Sequence, residues 1–113
     1  MASDKKHYSG LLGLERLLKQ SGDHFNLGWK PKIITLEPRF GYVNGQKQPD
    51  LWVIGDSSQL QAVFEYKCCP RPGTHYHQAQ EQLLSCKEYA DFLFGCDAIM
   101  LYCWGLRGEY ERL

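Results

Sequence analysis

Residues 49–69 read PDLWVIGDSSQLQAVFEYKCC, and this stretch decides the fold because it holds two apolar runs joined by a turn signal. "DLWVI" and "LQAVFEYKC" are rich in β-branched and aromatic residues, and "GDSS" separates them, which predicts two antiparallel strands of one meander. Inside the second run stand two full charges, Glu65 and Lys67, among Ala62, Val63, Phe64, Tyr66, Cys68 and Cys69. An ionised side chain in a sheet interior is costly unless it is paired or bound to a metal. Side chains alternate along a strand, so Val63, Glu65 and Lys67 share one face while Phe64, Tyr66 and Cys68 share the other. Asp50 begins the preceding strand, and antiparallel pairing lays the start of that strand beside the end of the next. Two carboxylates and an ammonium therefore converge at one edge of the sheet.

Outward from this hairpin, "PKIITLEPRFGYV" is β-branched and aromatic, with Pro38 marking a bulge or edge, and "NGQKQ" is a turn signal. Upstream, Tyr8, Leu11, Leu12, Leu14 and Leu18 recur at helical spacing until "SGD", which predicts a first helix from Tyr8 to about Ser21. Downstream, "PRPG" breaks the sheet, and Ala79, Leu83, Cys86, Ala90 and Leu93 outline a second helix to about Phe94. "AIMLYCW" then fits a strand buried on both faces, and "GLRGEYERL" reads as a tail or an oligomer contact. The element order is α-β-β-β-α-β.

At 113 residues, 43% hydrophobic and 23% charged, the chain predicts a single domain over residues 1–113 with one core. Its apolar runs fall far short of the roughly 20 residues that span a bilayer, and the N-terminus lacks a secretory pattern, so a cytoplasmic protein without a membrane partner is expected. Five cysteines, two of them adjacent, do not make a tidy disulfide framework and point to reduced thiols. The formal charge is zero, but residues 1–48 carry eight Lys/Arg against four Asp/Glu and residues 49–113 carry five against nine. A phosphate-binding surface is thus expected on the N-terminal half.

A hard cation such as Mg²⁺ or Mn²⁺ takes oxygen ligands, typically one or two carboxylates with waters and substrate phosphate. Asp50 and Glu65 suit that role, and Lys67 beside them suits orientation of an attacking water and stabilisation of charge on phosphate. Glu15 lies three or four residues from Leu11, Leu12 and Leu18, which places a third acid within or beside the apolar stripe of the first helix.

Pro49-Asp50, fourteen residues, then Glu65-Tyr66-Lys67 resembles the signature of the PD-(D/E)XK nuclease superfamily. The α-β-β-β-α-β order resembles its restriction-endonuclease-like core, an α/β fold with a mixed central sheet flanked by helices. The resemblance implies a metal-dependent nuclease acting on branched or duplex DNA, with Asp50 and Glu65 holding the metal and Lys67 serving the nucleophilic water. It also matches Glu15 to a first-helix acid, Glu37 to an acid on the first strand of some resolving enzymes, and Gln78 and Gln82 to polar residues on the following helix. Lys30, Lys32, Arg39, His75, Gln78 and Gln82 are expected to contact nucleic acid, and the small size suggests a homodimer like that of junction-resolving enzymes.

Other readings stand beside this one. Glu65 and Lys67 on an exposed edge strand would be an ordinary solvated pair. A module that keeps the fold without catalysis is the second function class, and "CCPRPGTHYH" with Cys86 offers ligands for a structural zinc. Trp29, beside Lys30 and Lys32, is a core residue or a contact to nucleic acid.

Overall fold

A computed structural model describes residues 2–21, 23–37, 49–69 and 73–113, the side chains of 2–4, 74 and 93 excepted. The chain forms helix α1 (Ala2–Gln20), strands β1 (Ile33–Leu36), β2 (Leu51–Ile54) and β3 (Gln61–Lys67), helix α2 (Tyr76–Phe94), and strands β4 (Ile99–Trp104) and β5 (Glu109–Arg112). It is an α/β arrangement in which five strands make one mixed sheet in the order β1-β2-β3-β4-β5. β3 and β4 pair in parallel, and every other neighbouring pair is antiparallel. Gly95 ends α2 in the left-handed conformation at φ 60°, its N–H donating to the Asp91 carbonyl.

Each helix covers one face of the sheet. Leu11, Leu14 and Leu18 of α1 join Leu51, Val53, Phe64, Tyr66, Leu101 and Cys103. Ala79, Leu83, Cys86 and Ala90 of α2 join Trp52, Val63 and Tyr102. Burying a leucine stabilises by roughly 1.5–3 kcal/mol, so these stripes, rather than intrinsic helix propensity, dock the helices. The alternation expected of β3 holds, since Val63 belongs to the α2 side and Phe64 and Tyr66 to the α1 side. The buried Gln61 is satisfied twice, accepting from Trp52 Nε1 at 2.6 Å and donating to the Ser58 carbonyl at 2.9 Å.

Several boundaries differ from expectation. α1 begins near Ala2 rather than Tyr8, and Tyr8 is exposed while Leu11 and Leu14 are buried. Leu12 is likewise exposed, so the core stripe is narrower than expected and runs through Leu11, Leu14 and Leu18. The "GLRGEYERL" segment is no tail: it turns at Gly105–Gly108 and returns as β5, antiparallel to β4. Pro38, Arg39 and the "NGQKQ" turn lie outside the described residues.

Gly10 of α1 abuts the ring of Tyr66, where an added Cβ would overlap ring carbons, whereas Gly13 has nothing within 4 Å of such an atom. Glycine to alanine in a helix normally stabilises by about 1 kcal/mol. Gly13→Ala is therefore expected to raise stability by up to that amount, and Gly10→Ala to lower it by about 1–3 kcal/mol through overpacking. Urea denaturation of the two variants separates these outcomes.

Candidate active site

The register of the β2–β3 hairpin places Leu51 opposite Phe64, and Asp50 directly precedes β2. The Asp50 N–H also donates to the Phe64 carbonyl, at 2.9 Å, so Asp50 and Leu51 both lie against Phe64 and Asp50 sits at the end of the ladder next to Glu65 and Tyr66. Both Asp50 oxygens are held: Oδ2 accepts from the Tyr66 N–H at 2.7 Å, and Oδ1 lies 3.2 Å from His7 Nε2. The carboxyl groups of Asp50 and Glu65 lie close enough to shift each other's titration. Glu65 is only 2% exposed, and its Oε2 is the one buried side-chain oxygen or nitrogen among the described residues that has no hydrogen-bond partner. Lys67, two residues on and on the same face, donates from Nζ to Gln82 Oε1 of α2 at 3.3 Å.

Two close carboxylates cannot both ionise cheaply, and the surroundings decide which keeps the proton. Burial pushes Asp50 upward, but its hydrogen bonds with His7, Glu65 and the Tyr66 N–H outweigh this and hold it below the usual aspartate value. Burial, the hydrogen bond with Asp50 and the Asp50 charge together raise Glu65 to about 10, opposed by the nearby Lys67 charge. The proton of the pair therefore resides on Glu65. Cys86, buried on the inner face of α2, is pushed up to about 12 by burial and then by the Glu65 and Asp50 charges. His7 rises above its ordinary value through its hydrogen bond to Asp50.

The other expected site residues are dispersed. Glu15 pairs with Lys19 one turn along α1, at 3.7 Å. It lies eight residues beyond His7, roughly 12 Å of helix rise from the residue that meets Asp50. Gln78 is exposed one turn before Gln82, and His75 is half-buried at the start of α2. Glu37 donates its N–H to the Asp50 carbonyl at 2.8 Å from a left-handed backbone at φ 46°, and its charge acts on His7. Lys32 bridges to Asp56 at 3.1 Å, and its N–H bonds the Ile54 carbonyl. That puts Lys30 and Lys32 near the opposite end of the sheet, about 20 Å from Lys67 by strand rise. Arg39 lies outside the described residues.

His7 is the site residue that sequence reasoning missed. Its signal was position: residues 7, 11, 14 and 18 form one helical stripe, so a titratable ring there faces the sheet with the buried leucines.

All five cysteines carry thiols; Cys68 is exposed, and Cys69 Sγ lies 3.9 Å from Tyr102 Oη. No cluster of three or more His, Cys, Asp or Glu side chains suited to a metal ion occurs among the described residues. The site offers two carboxylates, which is the usual protein share of a Mg²⁺ shell completed by water and substrate. An unmet buried oxygen beside a fixed carboxylate fits such an ion, because a cation supplies the partner that Glu65 Oε2 lacks. No helix among the described residues is long and apolar enough to cross a membrane. No family model matches the chain, and neither a curated protein nor a solved structure matches it significantly.

Glu65 binds its proton when folded and ion-free, up to about 10, but releases it near 4.5 when unfolded. Stability from this group is full below the unfolded value and is lost as pH rises toward the folded one, at up to about 1.4 kcal/mol per pH unit. His7, also raised on folding, acts with the same sign in a narrower window above 6.5. The EDTA-treated protein is therefore expected to lose stability steadily from pH 5 to pH 8. Glu65→Gln, an uncharged isostere, should raise its Tm at pH 8 and flatten the profile, as thermal melts across that range will show.

Proposed function

We propose that this chain is a divalent-metal-dependent nuclease of the PD-(D/E)XK type that hydrolyses phosphodiester bonds in DNA, with Asp50 and Glu65 holding Mg²⁺ or Mn²⁺. One observation carries the reading: a buried Glu65 oxygen without a donor sits beside Asp50, on the strand face that ends in Lys67. The α-β-β-β-α-β order, with β3 and β4 parallel, supports a restriction-endonuclease-like core to which β5 is an added edge strand.

When bound, such an ion supplies Lewis-acid stabilisation of the phosphate and makes water a nucleophile at neutral pH. To hold the ion, Glu65 would release its proton to solvent, whereas Asp50 is already ionised and fixed by His7 and the Tyr66 N–H. Lys67 Nζ, steered by Gln82, donates hydrogen bonds to the non-bridging phosphate oxygens or to the attacking water. Water attacks phosphorus in line with the departing sugar oxygen; as the P–O bond breaks, the attacking water's proton passes to solvent and the leaving oxygen takes a proton from solvent water. No covalent enzyme intermediate is involved.

Cleavage of branched, duplex and single-stranded DNA is the direct test. Activity is expected with Mg²⁺ or Mn²⁺ and none in EDTA, and Asp50→Asn and Lys67→Ala should each lose at least about 100-fold in rate. Variants that cut as well as the parent would overturn the assignment. His7→Gln is expected to weaken Mn²⁺ binding about 10-fold, because it removes a partner that orients a ligating carboxylate. Titration calorimetry on the folded variant measures this without reference to cleavage.

A further inference from the structure

α1 has a second stripe. Lys6, Ser9, Gly13, Arg16 and Gln20 follow one another at spacings of three and four, apart from the buried Leu11, Leu14 and Leu18. This stripe faces the Gly105–Gly108 turn between β4 and β5, and two adjoining clefts of about 870 Å³ and about 270 Å³ run between them. The clefts share Ser9, Gly105, Leu106 and Arg107, so they form one groove. Its outer end is lined by Lys5, Lys6 and the Cys68–Cys69 pair that directly follows Lys67; Arg16 lines its inner end.

The groove is cationic. Lys5, Lys6, Arg16 and Arg107 are exposed, and among the described residues none of them forms an ion pair. Glu109 is the only acid among the described lining residues. Lys6 and Arg16 are separated by roughly 15 Å of helix rise, enough for about four phosphates at 3.4 Å of axis each on one strand. The Lys30–Lys32 segment has neither property, since it lies near the far end of the sheet and Lys32 is already bridged to Asp56.

We infer that this groove seats the phosphodiester backbone of a nucleic acid chain, with Lys6, Arg16 and Arg107 contacting phosphates and the strand emerging beside Lys67. Its direction toward Lys67 rests on the nuclease reading; its binding chemistry does not require cleavage. The phosphates neutralise side chains that form no ion pair among the described residues, and the contacts carry no base information, so binding is insensitive to sequence and steeply dependent on salt.

The test is fluorescence anisotropy of labelled duplex and single-stranded oligonucleotides in EDTA across a salt series. Lys6→Ala, Arg16→Ala and Arg107→Ala should each lower the magnitude of the log K against log salt slope by about 0.7–0.9. The double variant Lys30→Ala/Lys32→Ala should leave it unchanged. Unaltered melting temperatures and Mn²⁺-induced thermal shifts would show that the groove variants remain folded with an intact carboxylate pair. Slopes equal to the parent in all three groove variants, a loss confined to the Lys30/Lys32 variant, or a parent that binds neither oligonucleotide would each overturn the inference. A parent that binds through the groove but cleaves nothing with Mg²⁺ or Mn²⁺ leaves the groove standing and removes the nuclease reading. A parent that cleaves while its groove variants keep the full slope does the reverse.

Discussion

Two carboxyl groups held face to face across a buried pair of antiparallel strands set the conditions for the rest of this structure. Such a pair cannot carry two charges in a dry setting without help, and the chain resolves the conflict asymmetrically. Asp50 receives an N–H from Tyr66 and a ring nitrogen from His7, so it stays ionised, while Glu65 keeps the proton. The arrangement requires one register. A slip of one residue would move Glu65 to the α1 face and bring Phe64 to the α2 side, reversing the whole hydrophobic assignment of β3.

The remaining polar burial follows the opposite rule. Gln61, at the far end of the same strand, is as buried as Glu65, yet both ends of its amide have partners. The loop into β4 is pinned similarly: Lys87 reaches both Asp91 and Asp97 at 2.6 Å, and the Asp91 carboxylate accepts the Ala98 N–H at 3.0 Å. Among the described residues, one buried oxygen left unmet at a carboxylate pair, with the other buried side-chain polar atoms satisfied, marks that position as distinct from the rest of the sheet.

The parts legible in the sequence were those governed by alternation and turn chemistry. The "GDSS" turn and the period-two pattern of β3 were enough to bring Asp50 beside Glu65 and to put Lys67 on the same face. Helix phase was less legible: the expected stripe included Tyr8 and Leu12 along with Leu11, Leu14 and Leu18, whereas Tyr8 and Leu12 are exposed and His7 is the α1 residue that meets Asp50. β5 was missed because "EYER" has one aromatic residue among charges, and its strand conformation comes from pairing with β4 rather than from local preference. Lys30 and Lys32 were expected to contact nucleic acid because the N-terminal half is basic, and a charge count does not reveal which end of the sheet that segment reaches.

β3 lies at the centre of the sheet, and its parallel neighbour β4 begins more than thirty residues later. During synthesis, therefore, β3 emerges well before the strand that covers its second edge, and a seven-residue segment with Ala62, Val63, Phe64 and Tyr66 waits with its amide and carbonyl groups open. In that unfolded interval Glu65 is solvated and ionised at neutral pH, and a charge in the middle of a sticky segment discourages pairing with other nascent chains. The side chain that is least comfortable in the finished sheet is thus a safeguard while the sheet is still being made.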